Sequence, residues 1–259
     1  MTFSTLIGLL ILATAVWLAS LVRRDASLAD PAWGFGFPAM AGLAWSGSPD
    51  PGSRGQLLLL LTSLWGCRLG IYLLWRNLGH GEDRRYRVMR EHHGPAFWWR
   101  SWFTVFALQA VLLWWVGLPV QVAIQQGGDL FRPSDLLFLP LWCFGLFWES
   151  VSDWQLARFQ ADPANAGRVL DRGLWRYSRH PNYFGDFCVW WALYGLAGPA
   201  GAWWTLLSPI SMTLLLLFVS GVRLTESTIQ SRRPEYAEYQ RRTNAFFPGP
   251  PRRLSGSVH

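Results

Sequence analysis

Apolar residues run along this chain in long unbroken blocks, without alternation and without a three-to-four residue rhythm. That is the pattern of helices that are greasy all round. A bilayer core takes about 20 such residues per helical span. Thr5 to Val22 is the first block and holds no charged residue. Arg23 and Arg24 follow it and none precedes it, the reverse of a secretory signal peptide, so it reads as a retained span. Further blocks at about 33–47, 56–75, 101–124, 135–152, 184–200 and 203–222 bring the expected number of spans to seven. The pattern predicts an all-α polytopic membrane protein, one domain over 1–248 with a disordered tail over 249–259.

Charge gives this arrangement a direction. Only 15% of the 259 residues are charged, and lysine is absent, so all 23 basic residues are arginine and the net charge of +7 rests on guanidinium groups. Soluble domains carry about 25% charged residues. With the N-terminus outside, 20 of the 23 arginines fall on one side of the membrane, which is therefore read as the cytoplasmic side of an inner membrane. The long connections 76–100, 153–183 and 223–259 lie on that side too, and chemistry is expected there. Three cysteines in or beside apolar runs make no disulfide framework. A disordered chain and a DNA-binding domain fit equally poorly.

Several polar residues are out of place in such a chain. Arg68 lies inside the third block, and Tyr72 and Arg76 follow at helical spacing, so all three share a face. The alternative is structural: a carboxylate such as Asp30 or Glu149 neutralises Arg68, and Tyr72 and Arg76 are interfacial. Glu149 and Asp153 form a second pair, four residues apart, suited to acid/base work or to hydrogen-bonding a cofactor. Adjacent His92 and His93 cannot share a helix face, and no HExxH or cysteine pair exists, so no metal site is expected. The run Gly34 to Ala39 fits G-x-G-x-x-A formally. It lies in an apolar span and contains a proline, so it reads as a place where helices approach closely. Asp30, just before it, caps a helix or acts as an acid, the cap being favoured. The stretch 172–187 and the segment after the last span interleave arginine with tyrosine, asparagine, histidine and acids. Such a pocket suits an anionic ligand with an aromatic part, and contact with anionic lipid is the plainer alternative. No nucleic acid is expected.

Arg179-His180-Pro181-Asn182-Tyr183-Phe184-Gly185 resembles the DUF1295 family, a membrane branch of the steroid 5α-reductase superfamily. So do Gly81-Glu82-Asp83-Arg84-Arg85-Tyr86 and the ending Arg233-Pro234-Glu235-Tyr236 with Tyr239, Arg241, Arg242, Thr243, Phe246, Phe247 and Pro248. The resemblance implies a seven-helix reductase that binds NADPH between its last helices and cytoplasmic loops and reduces an activated carbon–carbon double bond in a lipid. It places Glu149 and Asp153 near the nucleotide. Asn182, Tyr183 and Asp186 fall at the nicotinamide end, with Arg179 and His180 in the same run. Arg223 corresponds to a phosphate-binding arginine, and Tyr236 and Tyr239 lie near a C-terminal cofactor tyrosine. Tyr72 matches the tyrosine that polarises the substrate carbonyl, its hydroxyl supported by Asp30 or Arg68. Steroid reductases carry a Gln-Glu pair before that tyrosine, and none occurs between residues 25 and 71, where Asp30 is the substitute. The histidine–proline run also resembles isoprenylcysteine and phospholipid methyltransferases, which use S-adenosylmethionine. A third reading is a lipid-binding or assembly protein without catalysis.

Overall fold

The computed structural model describes residues 2–130, 132–219, 222, 226, 229 and 235–252. Every regular element among them is helical. The α-helices among them are α1 (Thr2–Arg23), α2 (Ala29–Ser46), α3 (Gly52–Asn77), α4 (Arg84–His93), α5 (Phe97–Ser101), α6 (Leu108–Val116), α7 (Leu118–Gln126), α8 (Asp135–Ala161), α9 (Pro181–Ala197), α10 (Leu207–Leu214) and α11 (Tyr236–Arg242). Among the described residues, four helices are long and apolar enough to cross a membrane: Thr2–Arg23, Gly52–Asn77, Asp135–Ala161 and Ala202–Val219. A fifth span results if Arg84–Val116 and Leu118–Gln126 are joined. Seven was the expectation. The blocks at 33–47 and 184–200 do form helices, of 18 and 17 residues, without reaching that combination of length and apolar content.

The block 101–124, expected as one span, is bent by 52° at its break. Pro119 cannot donate to the carbonyl of Trp115, and its ring crowds the preceding turn. The carbonyls left over are satisfied from elsewhere: the Ser208 hydroxyl donates to Trp115 O at 2.9 Å, and the Gln121 side chain donates to Trp114 O at 2.8 Å. Gly117 supplies the room, since a Cβ there would collide with Met40 Sδ.

The chain packs as two units. The first comprises Met1–Asp135 and Leu193–Ser208. In it α2 packs closely on α3, where a Cβ on Gly34 would lie 2.4 Å from Gly70 N and one on Gly66 would lie 2.7 Å from Gly34 O. The Gly34–Ala39 run therefore lies in a helix at a close helix crossing. At the far end of α3, Arg54 is 1% exposed. Its guanidinium forks onto Asp135 at 2.8 and 2.9 Å and also donates to Asp129 O and Leu196 O. A buried cation needs that full set of acceptors.

The second unit comprises Leu136–Ala192 and Pro209–His259. Here α8 and α9 cross backbone to backbone: a Cβ on Gly185 would lie 2.6 Å from Glu149 N and 2.8 Å from Gly145 O. Gly173, at φ +62°, turns the intervening segment back onto α8, where Leu174 N–H donates to Gln155 Oε1 at 2.9 Å. Trp175 then buries its ring among Phe159, Leu170 and Leu156, and its indole N–H donates to Ser152 O at 3.1 Å.

Candidate functional site

The glycine crossing in the second unit decides what α8 and α9 bring together. Glu149 and Asp153, one turn apart on α8, are 3% and 4% exposed, and Asp186 on α9 is also buried. Asn182 Nδ2 donates to Asp153 Oδ1 at 3.2 Å. A carboxylate accepts only, so this bond fixes the amide's orientation. It leaves Asn182 Oδ1 as a buried acceptor with no hydrogen-bond partner among the described residues. The cluster is rich in acceptors, which suits ribose hydroxyls, an amide N–H₂ or an ammonium group, and suits phosphate poorly.

A second cluster lies where the histidine–proline run meets the C-terminal segment. Pro181 opens α9 with a ready-made helical φ, and His180 O accepts from Phe184 N–H at 3.2 Å as the first turn closes. Glu226 gathers four side chains. Arg179 forks onto it at 2.7 and 3.1 Å, His180 Nε2 lies at 3.1 Å, the Tyr236 hydroxyl donates at 3.3 Å and Gln240 donates at 3.0 Å. Burial pushes the Glu226 carboxyl up. The hydrogen bonds from His180 and Arg179, with the Arg179 charge, outweigh it and hold the group down at about 2. Arg179 Nη1 also donates to Thr243 O and Gln240 O, while Ser178 Oγ donates to Phe246 O at 2.8 Å. The Tyr239 hydroxyl donates to Trp175 O, and burial drives both Tyr236 and Tyr239 well above the ordinary phenol value. Residues 249–252 continue the clasp, with Gly249 N–H on Tyr177 O and Arg252 N–H on Arg242 O.

These bonds give Arg179, His180, Tyr236 and Tyr239 internal partners. Their positions suit holding α9 and the C-terminal segment in register. Tyr183 stacks on the His180 ring, centroids 5.4 Å apart and planes 2° from parallel. Glu226 was missed by sequence reasoning, because an acid in a basic segment carries no local signal until its partners are placed. Arg223 lies outside the described residues.

In the first unit, Arg68 and Tyr72 lie a turn apart on α3, the guanidinium carbon 5.7 Å from the ring centroid. Asp30 is buried, but not as a helix cap: it lies in the first turn of α2, whose N-cap position is Leu28. Its carboxylate accepts from the Tyr86 hydroxyl at 2.8 Å and from Arg85 at 2.6 Å, with Arg76 at 3.7 Å. The phenol it supports is thus Tyr86 and its cations are Arg85 and Arg76, so of the two supports expected for the Tyr72 hydroxyl, Asp30 or Arg68, Asp30 is engaged elsewhere. Ser27 and Glu82 brace this corner: the Asp83 N–H donates to Ser27 Oγ at 2.6 Å, and Glu82 accepts from Ala26 N–H and the Arg90 fork. The run Gly81–Tyr86 supplies this corner's Glu82, Asp83, Arg85 and Tyr86.

Long apolar helices joined by arginine-rich connections, with a buried acidic cluster at a helix crossing, define an integral membrane protein of the all-helical, polytopic class. The chain belongs to the DUF1295 family, described as a protein of unknown function, which it matches over residues 16–243. It is also 27% identical over 287 aligned positions to an uncharacterized protein of Schizosaccharomyces pombe, covering 97% of this chain and 80% of that one. No solved structure matches the chain.

Proposed function

We propose that this protein is an NADPH-dependent reductase of an activated, enone-type carbon–carbon double bond in a steroid-like or other lipid drawn from the membrane. The observation that carries this reading is the Asn182–Asp153 bond at the α8–α9 crossing, with its buried free acceptor. A dihydronicotinamide presents a carboxamide N–H₂ and ribose hydroxyls, which are the donors such acceptors need. The donor and acceptor chemistry of these residues therefore fits that end of the cofactor. Exposed Arg168, Arg172 and Arg176 suit its phosphates, the 2′-phosphate included. When bound, the cofactor would supply a hydride for the β-carbon of the enone and leave as NADP+, and a proton from solvent would complete the α-carbon. Of the chain's own residues, Asn182 and Asp153 orient the carboxamide; the family resemblance assigns Tyr72 as the donor to the substrate carbonyl as negative charge develops on its oxygen. The apolar spans keep water from the substrate. Active-site loops and C-terminus on the cytoplasmic side of a bacterial inner membrane complete the reading.

A second reading draws on the same cluster. Three buried carboxylates also suit the ammonium group of S-adenosylmethionine, as in a membrane methyltransferase. Calorimetry on detergent-purified protein separates the two. The reductase reading expects NADPH to bind more tightly than NADH, with no heat from S-adenosylmethionine. Equal binding of the two nicotinamides removes the 2′-phosphate argument, and S-adenosylmethionine binding alone removes the reductase.

A further inference from the structure

Helix α1 ends in a Schellman turn: Asp25 N–H donates to Ser20 O at 3.0 Å and Arg24 N–H to Leu21 O at 3.3 Å. The left-handed position of that turn, normally glycine or asparagine, holds Arg24 at φ 53°. Among the described residues it is the one non-glycine residue with a positive φ. A side chain there is strained, and strain retained in a fold marks positions where the side chain has a task.

Arg24 lies on a cavity of about 730 Å³ in the first unit. Leu21, Phe97 and Trp98 make its apolar wall. Glu82 is the one acid lining it, and that carboxylate is already engaged by Arg90 Nε and Nη2 at 2.9 and 2.7 Å and by Ala26 N–H at 2.9 Å. The Ser20 and Ser101 hydroxyls donate inward, to Trp17 O and Trp98 O. What remains to donate is cationic. Arg90 Nη1 and the whole Arg24 guanidinium have no hydrogen-bond partner among the described residues, while the Phe97 ring holds the Arg90 guanidinium at 4.5 Å.

Depth supplies the second constraint. A 22-residue helix is about 33 Å long, enough to cross the hydrocarbon core, so a cavity at its end lies at headgroup level. Trp98 and Trp99 are exposed beside it, as aromatic side chains are at membrane interfaces.

We propose that this cavity binds an anionic phospholipid, its phosphate held by Arg24 and Arg90 Nη1 and its glycerol and upper acyl chains lying against Leu21, Phe97 and Trp98. Two guanidinium donors facing one anion give the charge-assisted bonds that hold phosphate. The ligand is distinct from the nucleotide and from the reducible lipid proposed above.

The test is native mass spectrometry of delipidated, full-length protein titrated with phosphatidylglycerol, with phosphatidylcholine of the same acyl chains, and with glycerol 3-phosphate. Phosphatidylglycerol should be retained in preference to phosphatidylcholine, and glycerol 3-phosphate should bind weakly. Arg24→Gly relaxes the left-handed turn as it removes the guanidinium, so it should melt no lower than the parent while losing about tenfold in phosphatidylglycerol affinity. Arg23→Ala removes a neighbouring exposed charge that does not line the cavity and should lose far less. Equal losses from the two substitutions, or equal retention of the two lipids, overturn the proposal. Glycerol 3-phosphate binding as tight as the lipid and dependent on Arg24 would make the ligand a soluble phosphate and overturn the lipid.

Discussion

Asp30 and Tyr86, 56 residues apart in the chain, are joined by a buried hydrogen bond of 2.8 Å in which the phenol donates to the carboxylate. This bond ties the first turn of α2 to α4, and α3 intervenes in the sequence. Hydrogen bonds to a charged group contribute about 1.5–3 kcal/mol, and a deleted hydroxyl leaves Asp30 short of one donor. Tyr86→Phe should therefore lower the thermal midpoint of the detergent-solubilised protein clearly. Matching melts for parent and Tyr86→Phe would show that the bond contributes nothing to stability.

Glu226 makes stability depend on acid. Its carboxyl titrates at about 2 in the folded protein, against about 4.3 for an unperturbed glutamate. The folded group holds its charge more firmly, so its contribution is complete above about pH 4.3 and is lost as pH falls towards 2. The linked free energy is on the order of 2–3 kcal/mol. Glu226→Gln should flatten the stability profile over that window, as followed by denaturant unfolding at stepped pH. An unchanged slope in the variant would assign the acid sensitivity to other carboxylates.

Removing the buried acceptor should weaken the nucleotide without disturbing the fold. Asn182→Ala is expected to cost about tenfold or more in NADPH affinity by calorimetry, with the melting curve close to the parent's. Intact affinity would take Asn182 out of the cofactor site.

Chemistry and binding should separate at Tyr72. Tyr72→Phe keeps the ring that lies against Arg68 and deletes only the hydroxyl. With an enone lipid that the parent accepts, turnover should fall on the order of 10²-fold while NADPH affinity holds. Parental turnover in the variant ends the catalytic assignment, whatever nucleotide is bound.

The all-helical architecture was legible because apolar blocks of span length leave no other solution. Continuity was less legible: Pro119 was visible, but whether a proline bends a helix depends on donors such as Ser208 and Gln121 reaching the freed carbonyls. The polar run 172–187 and the C-terminal segment were singled out by composition as a ligand pocket, and in the structure the two bond to one another. The centre of these bonds, Glu226, could not be ranked above other acids, since its partners come from residues 179–180 and 236–240. Asp30 was recognised as unusual, but its partners Tyr86 and Arg85 lie more than 50 residues further on, and only packing brings them to it.

At the Gly145–Gly185 crossing, peptide meets peptide with no side chain between. The gap between α8 and α9 is thus set by the bulk of the main chain itself, which cannot change rotamer and does not vary when neighbouring residues are exchanged. The acids and amide around it can be swapped for other polar groups while the frame that spaces them stays the same. A protein built this way tolerates exchange of the polar groups at 149, 153, 182 or 186 within an unchanged frame, and has almost no freedom at the two glycines.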